Sequence, residues 1–339
     1  MNNARKRSTW RLGVVGASVC VLVWTSYALG CSSDGRYLMG TVLEITLCDP
    51  SSNIPQQTMD GIFASVARLE TLLSTFSPDS AVSLLNAHAG QGPRTVPPEV
   101  TDLLTQSRHY WHLTRGTFDI TIGPLLHAWN TAGTTHTLPS PTALRRLKTK
   151  VGSEKIAILA DGRVALASVG MSIDLGGIAK GYALDQAAHE LKVRGIAHAL
   201  LDFGQSSIWA LGAPADAPRW RLLVQRPDGR EVGVIALHDQ ALSISASFSQ
   251  RSTIQGRHYG HILDPRSGQP LQRDLLACVI APNATQAEAL SKALLILGEK
   301  EGIALLERLP GVEGLLNETQ GRQWMTSGWQ RATAFAARP

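Results

Sequence analysis

The chain has 339 residues, 44% hydrophobic and 17% charged, enough to bury one large core or two modest ones and too apolar for long disordered spans. Its formal charge of +5 is concentrated at the N-terminus: of the 32 Lys and Arg residues, Arg5, Lys6, Arg7 and Arg11 lie in the first 30 positions, and beyond them 28 basic residues face 27 acidic ones. That near-neutral remainder lacks the basic footprint of nucleic-acid binding.

The four basic residues precede an uncharged apolar run, Leu12 to Leu29, closed by Gly30-Cys31. A basic segment followed by an apolar one reads as a signal peptide over residues 1–30. Cys31 stands where a lipobox carries its lipidated cysteine, although Ala28 replaces the usual larger aliphatic and Leu29 the usual small residue. The run of about 18 residues also has the minimum length of a retained signal anchor. Either device tethers the chain to a membrane, as a periplasm-facing protein of the bacterial cell envelope. Residues 31–36 then read as a tether and 37–339 as one domain. Cys20 falls in the signal, which leaves Cys48 and Cys278 as a disulfide the compartment permits.

Alternation predicts a strand over Tyr37 to Leu47, ending at Asp49-Pro50. Ile62, Val66, Leu69 and Leu73 share one face of a helix from about Thr58 to Leu73. Ser80 caps a short helix, Ala81 to Ala87, and Pro98 opens a long one that runs to Leu113 and stops at Gly116. The next segment, Thr117 to Leu126, is β-prone and carries Asp119, a site carboxylate or an Asx turn. Ser140-Pro141 starts another helix, and Asp161-Gly162 turns a hairpin within Lys155 to Ala167.

Ser172 to Asp185 carries more information. It predicts a strand bearing Asp174, a turn at Gly176-Gly177, and a helix with Leu184, Ala187, Ala188 and Leu191 on one face. Lys180 falls in the first turn of that helix, where the backbone dipole disfavours a cation by ~0.3 to 1 kcal/mol. An anion reverses that balance, so glycines, helix N–H groups and a lysine together describe a phosphate or pyrophosphate seat. An ordinary strand-to-helix turn with a solvated lysine satisfies the same spacing.

Strands follow at His198 to Gly204, Ser207 to Leu211, Trp220 to Gln225, Glu231 to Leu237 and Leu242 to Ser247, with a turn at Pro227-Asp228-Gly229. His258 and His261 are three apart, so on a strand they face opposite ways and cannot share a zinc ion. His261 with Asp264 and Arg266 either positions a substrate or accompanies a turn whose aspartate caps its own backbone. Leu275 to Ala281 is a strand. Thr285 to Leu297 is a helix, with Thr285 to Glu288 fitting a capping box and Glu288 pairing with Lys292 at i, i+4. Gly298 ends it, a further helix runs from Glu299 to Leu309, and Gly311 to Trp324 closes as a hairpin. The whole reads as a single α+β domain, mixed and antiparallel sheets covered by helices.

Six motifs in register, Met39-Gly40-Thr41, Ser74 to Ser80, Thr117 to Pro124, Asp174 to Tyr182, His261 to Gly268 and Glu288 to Gly298, resemble the ApbE-type FAD:protein FMN transferases. The resemblance implies that FAD is cleaved with Mg²⁺ bound, that FMN passes to a Thr or Ser hydroxyl of an acceptor flavoprotein of the envelope, and that AMP leaves. By matching positions it implies FAD contacts at Met39, Phe76, Thr117, Phe118, Asp119, Lys180 and the Ile262 backbone. It implies catalytic roles for His261, Asp119 and Lys180, and metal contacts at the Gly177 carbonyl and Glu288.

Three positions depart from the family pattern. Glu288 and Lys292 stand where members present an aspartate and a threonine to the metal, and a lysine has no acceptor with which to ligate Mg²⁺. The Lys292 ammonium then supplies part of the metal's charge, or the pair is no more than a helix-surface contact beside a degraded site. Gln205 replaces a glycine, and Ile244 to Phe248 replaces Thr-Ser-Gly-Asp-Tyr. Two other functions fit these departures: an FAD-binding lipoprotein without turnover, and an FAD pyrophosphatase using water.

Overall fold

The computed structural model describes residues 20–23, 31–48, 56–214, 216–226, 229–318 and 321–333. The predicted signal peptide, apart from Cys20–Val23, and the predicted turns at Asp49-Pro50 and Pro227-Asp228 lie outside them.

Among the described residues, eight strands form one sheet in the order Gln323–Met325, Glu313–Glu318, Leu275–Ala281, Gln240–Ala246, Ser207–Leu211, Ala199–Phe203, Thr41–Cys48 and Cys31–Leu38. Every neighbouring pair is antiparallel. The inner strands Ala199–Phe203, Ser207–Leu211 and Leu275–Ala281 are buried at every residue because both faces are covered.

The helices are Gln56–Leu73 (α1), Ala81–Ala87 (α2), Pro98–Leu113 (α3), Gly123–Thr135 (α4), Pro141–Lys148 (α5), Ala179–Val193 (α6), Ala284–Leu306 (α7) and Trp329–Thr333 (α8). The apolar stripes of α1, α3, α6 and α7 join one sheet face in the main core, through residues such as Ile62, Leu104, Leu184 and Leu290. The opposite face packs Ile208, Leu242 and Leu276 against Trp220, Leu222 and Ile235 of a smaller sheet, Cys20–Val23, Trp220–Gln225 and Glu231–Leu237, with Trp329 alongside. A third cluster joins Leu125, Trp129 and Leu144 of α4 and α5 to Ile254 and Leu263.

Several expectations change. Tyr37 to Leu47 is not one strand: Met39 and Gly40 take positive φ (46° and 79°) and turn a hairpin, which makes the expected tether part of the strand Cys31–Leu38. This register sets Cys31 opposite Cys48, and the two form a disulfide. Cys278 is a buried free thiol four strand spacings away, about 19 Å, beyond disulfide reach of Cys48. The Cys48–Cys278 pairing is therefore excluded, and the Cys31 sulfur bonded to Cys48 cannot at the same time carry a lipid thioether. The end of the β-prone segment, Gly123 to Leu126, is the start of α4, because Pro124 suits a first helical turn and Leu125, Trp129 and Ala132 bury one face. The expected strand before Gly176 is extended chain outside any sheet, held by Ile173 N–H donating to Asn86 Oδ1 (2.7 Å) and Asp174 N–H donating to the Ile120 carbonyl (2.7 Å). The expected capping box does not form: Asn283 caps α7 by accepting from Gln286 N–H, while Thr285 bonds to Asp185. At Gly298 the expectation holds: its non-helical backbone (φ 74°) divides α7 into two helices that meet there at a kink.

Candidate active site

Three segments converge on a cavity of about 500 Å³: Thr117 to Ile122 after α3, Asp174 to Lys180 at the start of α6, and the stretch around His261, with Lys292 of α7 behind them. Each is fixed by local chemistry. Thr114, the residue after α3, accepts from Phe118 N–H through its hydroxyl (3.1 Å), and its carbonyl accepts from the Thr117 hydroxyl (2.9 Å). At the other end of the Ser172 to Asp185 stretch, the Asp185 carboxylate accepts from Ala284 N–H (2.7 Å), Thr285 N–H (2.9 Å) and Trp209 Nε1–H (2.9 Å), which ties α6 to the positive end of α7. Gly181 permits that contact, since a Cβ there would lie 2.5 Å from the Ala284 carbonyl oxygen.

Lys180 sits in the first turn of α6, which has no side-chain cap and no acidic residue there. Its ammonium donates to Ser206 Oγ (2.6 Å), a neutral partner. Lys292 lies across the cavity wall, 18% of its side chain exposed, and donates to Glu288 Oε2 (3.0 Å). The carboxylate of Glu288 is almost fully buried, and its other oxygen accepts from the Ser207 hydroxyl. Burial presses the Lys292 pKa below the ordinary lysine value, as does the charge of Lys180, while Glu288 opposes both.

His261 follows the hairpin Arg251–Ile254 and Arg257–Gly260, its Nδ1 3.3 Å from the Gln250 carbonyl oxygen. A carbonyl accepts only, so Nδ1 carries the proton and a neutral ring leaves Nε2 as an acceptor. Desolvation by the surrounding walls, with the Lys292 charge, holds the His261 pKa below the ordinary value. His258 bonds instead to Thr253 Oγ1 (3.0 Å).

The Asp119 carboxylate is occupied structurally. It accepts from Thr121 N–H (2.9 Å) and Oγ1–H (2.7 Å) and from Ser153 N–H (3.2 Å) and Oγ–H (2.7 Å). Burial raises its pKa and these bonds oppose the rise. Both of its oxygens are thus engaged by Thr121 and Ser153 at the cavity wall. Asp264 likewise binds its own turn, accepting from Arg266 N–H (2.9 Å) and from its guanidinium. The expected turn bonds therefore form.

Thr117, Phe118, Asp119, Gly177, Lys180, His261 and Ile262 all line the cavity. Met39 and Phe76 do not: Phe76 is 96% exposed, and Met39 sits on the hairpin turn with its N–H donated to Glu70 (2.9 Å). Ser206 and Asp174 line the cavity but were not selected from sequence as site residues. Asp174 is the one carboxylate of the short apolar run before Gly176-Gly177. Ser206 had no signal beyond its place after Gly204-Gln205.

The ApbE family model matches residues 39–316, most of the chain. The chain belongs to the ApbE family. It is 29% identical over 331 residues to the FAD:protein FMN transferase of Treponema pallidum, with 90% of each chain covered. It superimposes on the ApbE protein of Thermotoga maritima with a TM-score of 0.80 at 26% identity, covering 89% of this chain and 98% of that one. The apo form of the Pseudomonas stutzeri flavinyl transferase ApbE gives a TM-score of 0.78 at 26% identity, covering 95% and 98%.

The Mg²⁺ implied by that family does not suit the residues found here. Glu288, the one carboxylate at the expected place, already has a partner on each oxygen. Lys292 Cε lies 3.9 Å from where a Cβ on Gly177 would be, so the lysine stem packs beside that residue. The other departures have local accounts. Gln205 takes the left-handed conformation (φ 56°) that a glycine adopts without cost. Ser247, where members often carry aspartate, accepts from Leu275 N–H (3.0 Å) and donates to the Arg273 carbonyl (2.6 Å), joining two chain segments.

Proposed function

We propose that this chain cleaves FAD and transfers its FMN half to a Thr or Ser hydroxyl of a protein acceptor, with AMP released. The observation that carries the reading is the convergence of two ammonium groups and one imidazole with an open acceptor nitrogen on a single cavity. Lys180 and Lys292 bind the pyrophosphate and stabilise the charge on its oxygens during transfer. The acceptor hydroxyl oxygen attacks the phosphorus of the FMN half, and its proton passes to His261 Nε2. The bond from that phosphorus to the bridging oxygen breaks, and AMP departs with the bridging oxygen. Asp119 holds Thr121 and Ser153 so that the Thr117-Phe118 wall keeps its shape.

The acceptor is a flavoprotein of the cell envelope. The basic and apolar N-terminal pattern supports export, and the Cys31–Cys48 disulfide suits an oxidising compartment. Incubating the purified chain with FAD and a Thr-containing envelope flavoprotein tests the activity. Flavin fluorescence that stays with the acceptor on a denaturing gel, together with AMP, is expected. Free FMN with AMP, or FAD bound intact, overturns the transferase reading.

A further inference from the structure

Two lysines, Lys180 of α6 and Lys292 of α7, line one cavity. Lys180 has a hydroxyl partner, and Lys292 has one carboxylate whose second oxygen belongs to Ser207. The other carboxylates lining the cavity are Asp174, which accepts from Gly176 N–H (2.9 Å), and Asp119, which is turned into its own loop. Among the described residues no group of three His, Cys, Asp or Glu side chains is placed to hold a metal ion. Mg²⁺ demands oxygen ligands in near-octahedral geometry at about 2.0–2.1 Å. Here the Lys292 ammonium takes the position on Glu288 Oε2 that such an ion would need, and its Cε lies over Gly177.

We infer that Lys292 is the resident cation of the site, standing in for a divalent ion, so that this chain binds and cleaves FAD without Mg²⁺. The inference rests on the transferase reading of the cavity. It assigns Glu288 a positioning role: the carboxylate, anchored by Ser207, aims the ammonium at the ligand. Lys292 and Lys180 then grip the pyrophosphate from α7 and α6.

The test uses the full chain, with Mn²⁺ as a paramagnetic probe read by EPR and FAD affinity read by flavin fluorescence, with and without chelator. The expected results are no stoichiometric Mn²⁺ binding with FAD present and the same FAD affinity in chelator as in Mg²⁺. Lys292→Met should weaken FAD binding by about 10- to 100-fold, the range for losing a hydrogen bond to a charged group. Because Lys292→Met leaves Glu288 buried without its cation, the double variant Glu288→Gln/Lys292→Met preserves charge balance and should show the same loss. One Mn²⁺ per chain, an FAD affinity that rises about tenfold with Mg²⁺, or variants that bind FAD as the wild type does would each overturn the inference. Metal-dependent FAD binding overturns it alone, whereas a wild type that binds no FAD removes the transferase reading as well.

Discussion

Two cavities of about 500 Å³ meet the same helix, both touching Ile296 of α7, and they differ in how their cations are partnered rather than in size. In the one around Leu271 to Leu275 and Leu295 to Glu301, Arg273 is matched by Glu299 (2.8 Å) and Glu318 (3.2 Å). In the other, Lys180 meets a hydroxyl and Lys292 shares one carboxylate with Ser207. A guanidinium already held by two carboxylates has little to gain from an anion, while an ammonium held by a neutral hydroxyl becomes more favourable when an anion enters. The hydroxyl-held ammonium of Lys180, and not volume, therefore marks the candidate site.

The largest test of that contrast removes the proton acceptor and leaves the charge. His261→Ala should lower FMN transfer by about 10²- to 10⁴-fold, the range for a general base, with FAD affinity little changed in a fluorescence titration. In the wild type the ring must be neutral to act, so activity is present above its pKa and lost as pH falls through it. Because that pKa is held down, the acid limb of the pH–rate profile should lie below the ordinary histidine value, and Lys292→Met should move it upward.

Exchanging the cations of the two cavities sharpens the comparison further. Lys180→Met should weaken FAD binding by about 10- to 100-fold. Arg273→Met, which empties an already balanced cavity, should leave it unchanged, and equal losses from the two variants would remove the distinction.

A smaller effect concerns Asp202, which feels the charge of Lys180. Burial is the main cause that raises its pKa to about 7; Glu44 adds to the rise, and the bond from Gln205 N–H (2.7 Å) and the charge of Lys180 oppose it. Between about pH 4 and pH 7 the folded chain keeps a proton that the unfolded chain releases. Stability should therefore fall as pH rises through that window, by up to about 1.4 kcal/mol per unit. Asp202→Asn, which retains the acceptor oxygen, should flatten the slope in denaturant titrations. The smallest effect is at Gln205, exposed and left-handed. Gln205→Gly should raise stability by about 0.5 kcal/mol, the conformational relief less the added entropy of the unfolded chain.

Elements whose signals lie within a few residues were legible in the sequence. Ser80 accepting from Ser83 N–H and Pro98 at its first turn start α2 and α3 where they were expected, and Ser140 does the same for α5. The strands Ser207–Leu211, Trp220–Gln225, Glu231–Leu237 and Leu275–Ala281 match their apolar runs. The errors share one cause, a distant partner. The hairpin at Met39-Gly40 needs the pairing of Cys31–Leu38 with Thr41–Cys48, and the helical start of Gly123 to Leu126 needs the α4–α5 cluster. Glu288 turns to Ser207, 81 positions away, and not to its own helix start.

The sequence by itself determined the α+β class, the helix start that carries Lys180 and the i, i+4 pairing of Glu288 with Lys292, because caps, glycines and periodicity act over one or two turns. Only the tertiary structure decided that Lys180 and Lys292 face one cavity, that the Asp119 carboxylate is committed to Thr121 and Ser153, and that Cys31 rather than Cys278 pairs with Cys48. Those outcomes depend on which strands and helices become neighbours, and that follows from burying the sheet on both faces, a property of the whole chain and of no single stretch.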